Sequence, residues 1–183
     1  MASPLLFTFA LWALLLTPGP TNSLMALAGG QKGLCRAASL IPAELGAYLI
    51  VVIPLAMLGK DGIASWPSQA IKLGAAIWVL HLALKLWRAA MPTGGTADIT
   101  ARQLFVTTLL NPKGLIIGLA LLPAATHPAF ALDLLILSLS VIAAALLWAG
   151  LGAGIGRVRW LPRIAAAWLA LLSGGLAFGA MAH

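Results

Sequence analysis

The chain has 183 residues, of which 62% are hydrophobic and 8% charged, against roughly 25% charged in a soluble domain. That little charge cannot cover a water-facing surface of this size, which excludes an ordinary soluble domain and makes lipid the natural solvent. The formal net charge of +7 would suit a nucleic-acid partner only if it were gathered on one face, whereas here it falls at the ends of apolar runs.

A hydrocarbon core of about 30 Å takes about 20 helical residues to cross. Apolar stretches of that order lie near 4–30, 38–59, 66–88, 103–125, 129–152 and 161–182. They are long and continuous, without the alternating polarity of barrel strands, so helices are expected. The first stretch contains Thr17-Pro18-Gly19-Pro20-Thr21-Asn22-Ser23. Proline inside a helix removes a hydrogen bond and clashes with the preceding turn, at about 3 kcal/mol. Two prolines around a glycine predict a broken helix, with Thr21, Asn22 and Ser23 satisfying freed backbone groups and capping the half-helix that follows. A secretory signal ending at Ala26-Leu27-Ala28 is disfavoured, because no Lys or Arg precedes Lys32.

Lys32 and Arg36 separate the first two stretches, and the single cysteine, Cys35, lies between them. It excludes an intramolecular disulfide and is expected to be a small packing residue at a helix end. Glu44 falls about a third of the way into the second stretch. An intramembrane carboxylate is a functional candidate by default, here as carrier of a coupling proton. Trp66-Pro67 opens the third stretch, which carries Lys72, expected to snorkel, and His81, expected to be a packing residue.

The linker Met91-Pro92-Thr93-Gly94-Gly95-Thr96-Ala97-Asp98 is the longest polar run and lies at mid-chain. One membrane domain over 1–183 follows, with repeat one near 1–91, a linker near 91–101 and repeat two near 102–183. Three spans per half turn the second half upside down, as in many secondary transporters. The landmarks recur: Pro20 and Pro112 lie 92 residues apart, and Trp66-Pro67 and Trp160-Leu161-Pro162 are offset by 94. The fold class is therefore an all-α membrane protein of six transmembrane helices in two inverted three-helix repeats, the first helix of each broken.

In the fourth stretch the break is Leu110-Asn111-Pro112-Lys113-Gly114, which at helical rise lies roughly 13 Å into the span, near the midplane. Lysine there costs about 2.5–3.5 kcal/mol on insertion scales and should face the protein interior or water. Matched interruptions in two halves point to a transport site. The half-helices after Pro20 and Pro112 should turn their positive N-terminal ends on one another, where an anionic group such as a carboxylate binds, with Lys113 beside it. The substrate-site candidates are Pro18, Gly19, Pro20, Thr21, Asn22, Asn111, Pro112 and Lys113. The fifth stretch adds Asp133, a second proton-carrier candidate, and Gly150-Leu151-Gly152-Ala153-Gly154, in which Gly150 and Gly154 have the spacing for close helix approach, either internal or across a dimer seam. Gly174-Gly175 offers the same in the sixth.

Basic residues sit asymmetrically. Lys32, Arg36, Lys85, Arg88, Arg102, Arg157, Arg159 and Arg163 fall on loops opening to one side, against Lys60 alone on the other. The positive-inside rule then places both termini outside the cytoplasm, and reads the basic excess as topology rather than nucleic-acid binding. Trp66, Trp87 and Trp160 at span ends read as interface anchors.

Thr17-Pro18-Gly19-Pro20 followed by Gln31-Lys32-Gly33, and Leu109-Leu110-Asn111-Pro112-Lys113, resemble the two signatures of the LysE/RhtB family of amino-acid exporters. The resemblance implies export of amino acids across the bacterial inner membrane, coupling to the proton gradient, and homodimers in the lipid bilayer. Departures accompany it: Ser39 and Ala43 replace small glycine positions, Ile77 and Leu82 stand where an aromatic and a glycine are usual, and Ala124-Ala125 replaces a glutamine–aromatic pair. They leave the substrate open and sustain a second reading, a degenerate family member acting as a structural or assembly partner. An enzyme is not expected: His81, His127 and His183 have no metal-ligand spacing, and no nucleophile motif or phosphate-binding loop occurs. No cofactor and no metal are called for.

Overall fold

A computed structural model describes residues 4–58, 77–84, 87–88, 98–155 and 161–181. Among these the chain is helical throughout, without strands. In chain order the helices are α1 (Pro4–Leu16), α2 (Pro20–Lys32), α3 (Leu34–Ala38), α4 (Ile41–Leu58), α5 (77–84), α6 (Ala101–Leu109), α7 (Pro112–Ile116), α8 (Phe130–Ile155) and α9 (Leu161–Met181). A π-helical turn, Ile117–Leu121, continues α7.

Among the described residues two stretches are long and apolar enough to cross a bilayer, Leu34–Met57 and Phe130–Ile155. Two bent pairs raise the number to four if each is one span: Leu5–Leu16 with Pro20–Lys32, bent by 64°, and Ala101–Leu109 with Pro112–Leu121, bent by 47°. Both breaks fall where the prolines place them. The second span starts earlier than its apolar run, because α3 turns into it directly after Gly33, whose φ of 81° is open to glycine. The start of α6 is set by a capping box, in which the Thr100 hydroxyl accepts from the Gln103 N–H and the Gln103 carboxamide accepts from the Thr100 N–H. Most of the expected third span, with Trp66, Pro67 and Lys72, lies outside the described residues. So do Lys60, Lys85, Met91–Ala97, Arg157, Arg159, Trp160 and His183.

Two apolar clusters form the interior. One gathers Leu24 and Leu27 of α2, Leu82 of α5, Leu104 of α6, Ala145 and Ala149 of α8 and Leu169 of α9. The other gathers Leu11 and Leu15 of α1, Tyr48 and Val52 of α4, Ile117 of the π turn and Leu137 and Val141 of α8. Each broken helix therefore leaves one cluster at its break and enters the other, in opposite order along the chain. Helix α4 crosses the same boundary between Ile41 and Tyr48, and α8 crosses it between Ala144 and Ala145.

Helices α2 and α8 meet backbone to backbone. A Cβ at Gly29 would overlap the Ala149 carbonyl, and one at Gly152 would overlap the Ala26 carbonyl. Gly150 and Gly154, expected to serve close approach either internally or across a dimer seam, have open space within the chain where a Cβ would stand, so the internal use is not theirs. Their spacing is right, but the rotation of α8 turns Gly152 inward instead. Cys35 is exposed rather than packed, since α3 presents only Ala37 to the interior.

Candidate polar layer between the broken helices

The two breaks face one another at the boundary between the apolar clusters. At the first, Pro18 and Pro20 lack the N–H groups that would serve the Leu14 and Leu16 carbonyls in a continuous helix. Gly19 is the N-cap of α2, in extended conformation and without a side-chain cap. The expectation that Thr21, Asn22 and Ser23 cap the following half-helix is thus corrected. Asn22 turns back instead, and its amide donates to the Leu15 carbonyl at 2.7 Å and the Thr17 carbonyl at 3.0 Å. It closes the end of α1 rather than the start of α2, because the helix stops at the break and leaves the Leu15 and Thr17 carbonyls without the N–H groups of a next turn, within its reach. At the second break Asn111 is a true N-cap: its side-chain oxygen accepts from the Lys113 N–H at 3.1 Å, with Pro112 in the first helical position.

Side chains then join the breaks. The Asn111 amide donates to the Thr21 hydroxyl at 3.0 Å, and the Thr21 and Thr108 hydroxyls lie 3.3 Å apart. The Lys113 ammonium crosses to the first break and donates to the Thr17 carbonyl. Gly19 leaves room for it, since a Cβ there would come within 3.3 Å of Lys113 Cε and 3.4 Å of Nζ. Thr21, Asn22, Asn111 and Lys113 are all buried, as are Gly19 and Pro20, while Pro112 is half-buried and Pro18 exposed.

Glu44 is 3% exposed and stands on α4 between Ile41 and Tyr48, at the level where that helix changes cluster. Its Oε2 has no hydrogen-bond partner, and the charge it feels is that of Lys113. Tight packing holds α4 against α7: a Cβ at Gly114 would lie 3.3 Å from Val51 Cγ1, and one at Gly118 would lie 3.0 Å from Leu55. The layer therefore holds a buried lysine and a buried glutamate, with the lysine bonded to backbone.

The other candidates fall elsewhere. Asp133 sits in the first turn of α8, where a carboxylate suits the helix dipole. From there to the cluster boundary at Ala144 is about 16 Å along the helix, so the fold does not bring Asp133 into the layer. His81 is exposed, its ring 5.8 Å from that of Trp78. Among the described residues no three His, Cys, Asp or Glu side chains gather to hold a metal ion.

Sequence reasoning passed over Thr17, Thr107 and Thr108. Thr107 accepts from Trp78 Nε1 at 3.0 Å and donates to the Gln103 carbonyl at 2.6 Å, tying α5 to α6. The available signal was two adjacent threonines one turn before a break in an apolar run. Beyond this span the ion pair of Lys32 with Asp98, 2.9 Å, brings the turn after α2 to the segment that leads into α6.

No family model, no curated protein and no solved structure matches the chain.

Proposed function

We propose that the chain is a secondary transporter, exporting amino acids or similar small carboxylate-bearing metabolites across a bacterial inner membrane by proton antiport. In this reading it is not an enzyme, and six spans form two inverted repeats. The observation that carries the reading is the buried polar layer. Two helix breaks from opposite halves of the chain meet there, with a lysine and an unpartnered glutamate between two apolar clusters. Ionisable groups in such surroundings are costly to maintain, and interrupted helices in matched positions are how transporters present helix ends to a solute. The crossing of each broken helix between the clusters, in opposite order, is what inversion of the halves requires. The LysE/RhtB resemblance of the two motifs agrees with it.

Lys113 supplies the charge for a carboxylate. An ammonium has three donors and only one is engaged, on Thr17. Lys113 belongs to the first turn of α7 and reaches the break that precedes α2, and the N-terminal ends of both helices favour the same anion. Glu44 is the candidate for exchanging a proton with each transport cycle.

The second reading, a structural or assembly partner, is favoured by one observation. Thr21, Asn22, Asn111 and Lys113 already bond to one another or to backbone, as a permanent latch would. Metabolite profiles of the medium from cells with and without the chain separate the two. Transport predicts a small set of carboxylate-bearing metabolites that accumulate outside only when the chain is present, whereas a profile that does not change favours the structural partner.

A further inference from the structure

Lys113 occupies the second helical position of α7. A cation there is at the wrong end of its own helix, since N-termini carry the positive dipole end and favour acids. Its side chain does not leave for water. It remains buried, 8% exposed, and delivers the ammonium to the Thr17 carbonyl beyond the C-terminal end of α1. That end is short of donors because α1 stops at Leu16, at a break where residues 18 and 20 are prolines, and carbonyls at a helix C-terminus draw positive charge. The space is shaped to match, since Gly19 lacks the Cβ that would press on Cε and Nζ. Glu44, on a third element, is the buried acidic side chain of the same layer.

We infer that the carbonyl end of α1 is a seat for a small monovalent cation, and that Lys113 is its tethered occupant. Unwound carbonyls at broken helices are the groups with which transporters hold sodium. Here the second half of the chain provides the cation covalently, so no inorganic ion is needed to hold the first break. Removing the ammonium opens the seat to sodium, potassium, ammonium or methylammonium. The inference concerns how the breaks are held and is independent of which solute, if any, is carried.

The test uses the purified full chain in lipid nanodiscs, with thermal stability measured at constant ionic strength. The salts are chlorides of N-methylglucamine, sodium, potassium, ammonium and methylammonium. Unsubstituted protein should melt at the same temperature in all of them. Lys113→Ala should melt lower in N-methylglucamine, and one or more of the small cations should raise its melting temperature saturably. A rise of about 3–6 °C is expected at tenfold the dissociation constant. Lys113→Gln keeps a neutral donor of similar length and should respond to cations in the same way, whereas Lys113→Arg should not. A glutamine variant as stable as the parent in every salt would show that a neutral hydrogen bond suffices, and would overturn the inference. So would an alanine variant that no cation stabilises or that folds in none of these salts, or a parent protein with the same cation response as the variants.

Discussion

At the scale of single residues, the first break is an exchange of backbone donors for side chains. Helix α1 stops at the prolines, and Asn22 and Lys113 bring donors to the Leu15 and Thr17 carbonyls, which a continuous helix would have paired with the Gly19 and Thr21 N–H groups. An unsatisfied buried carbonyl costs about 1–3 kcal/mol, so side chains that can reach are held there. This part of the site is only half legible in the sequence. Pro18, Pro20, Asn111 and Lys113 stand out because their effects are local. That Thr21 meets Thr108 and Asn111 depends on chain segments 87 to 90 residues apart coming together, and that Asn22 looks back to Leu15 and Thr17 depends on how the chain bends at the break. Glu44 stands out as a charge in an apolar run, and its burial beside Lys113 gives it a consequence that Asp133 lacks. Glu44→Gln should abolish efflux driven by a proton gradient while leaving solute binding and counterflow exchange within about twofold, since the shape is kept and only the exchangeable proton is lost. Uphill efflux at the parental rate by this variant, measured in proteoliposomes, would remove Glu44 from the coupling step.

At the scale of elements, α2 and α8 form the closest seam among the described residues. Gly29 and Gly152 sit against each other's backbone neighbours, so a methyl at either has nowhere to go without moving a helix. Gly29→Ala and Gly152→Ala should each cost at least about 1–3 kcal/mol, read as a lower melting temperature. Gly150→Ala and Gly154→Ala should be neutral or slightly stabilising, because both have open space and alanine is the better helix former. Equal losses at all four positions would contradict the seam. The helix breaks are readable from sequence because proline acts wherever the rest of the chain lies. The inward glycine is not, because α8 is apolar on every side and its composition carries no rotational phase. The capping box at Thr100–Gln103 was there to be read, four positions laid out before an apolar run, whereas the π turn after α7 has no such local marker.

At the scale of the whole molecule, composition and apolar helices point to a membrane protein, and the proposed orientation rests on the loops. Eight basic residues on one set of loops against Lys60 on the other predict that reporters placed after Lys32, Asp98 and Arg159 behave as cytoplasmic, and those at Asp61 and His183 do not. The Lys32–Asp98 ion pair agrees, since it joins two segments assigned to the same side. A cytoplasmic C-terminus would contradict both the six-span count and the inversion of the halves. The proposed architecture matters because inversion of the halves would turn two proline motifs into one layer, with helix ends converging from opposite directions on Lys113.

That layer as a carboxylate site is the central claim, and counterflow exchange in proteoliposomes tests it most directly. The solutes are a metabolite whose external level depends on the chain and its analogue with the carboxylate masked as an amide. Lys113→Met keeps the apolar stem and removes the charge. Losing a charge-assisted contact of about 1.5–3 kcal/mol should lower apparent affinity for the acid from roughly tenfold to more than a hundredfold. The amide should bind poorly to the parent protein and lose little more in the variant. Equal losses for acid and amide would mean that Lys113 holds the helices rather than the solute, and would contradict the account.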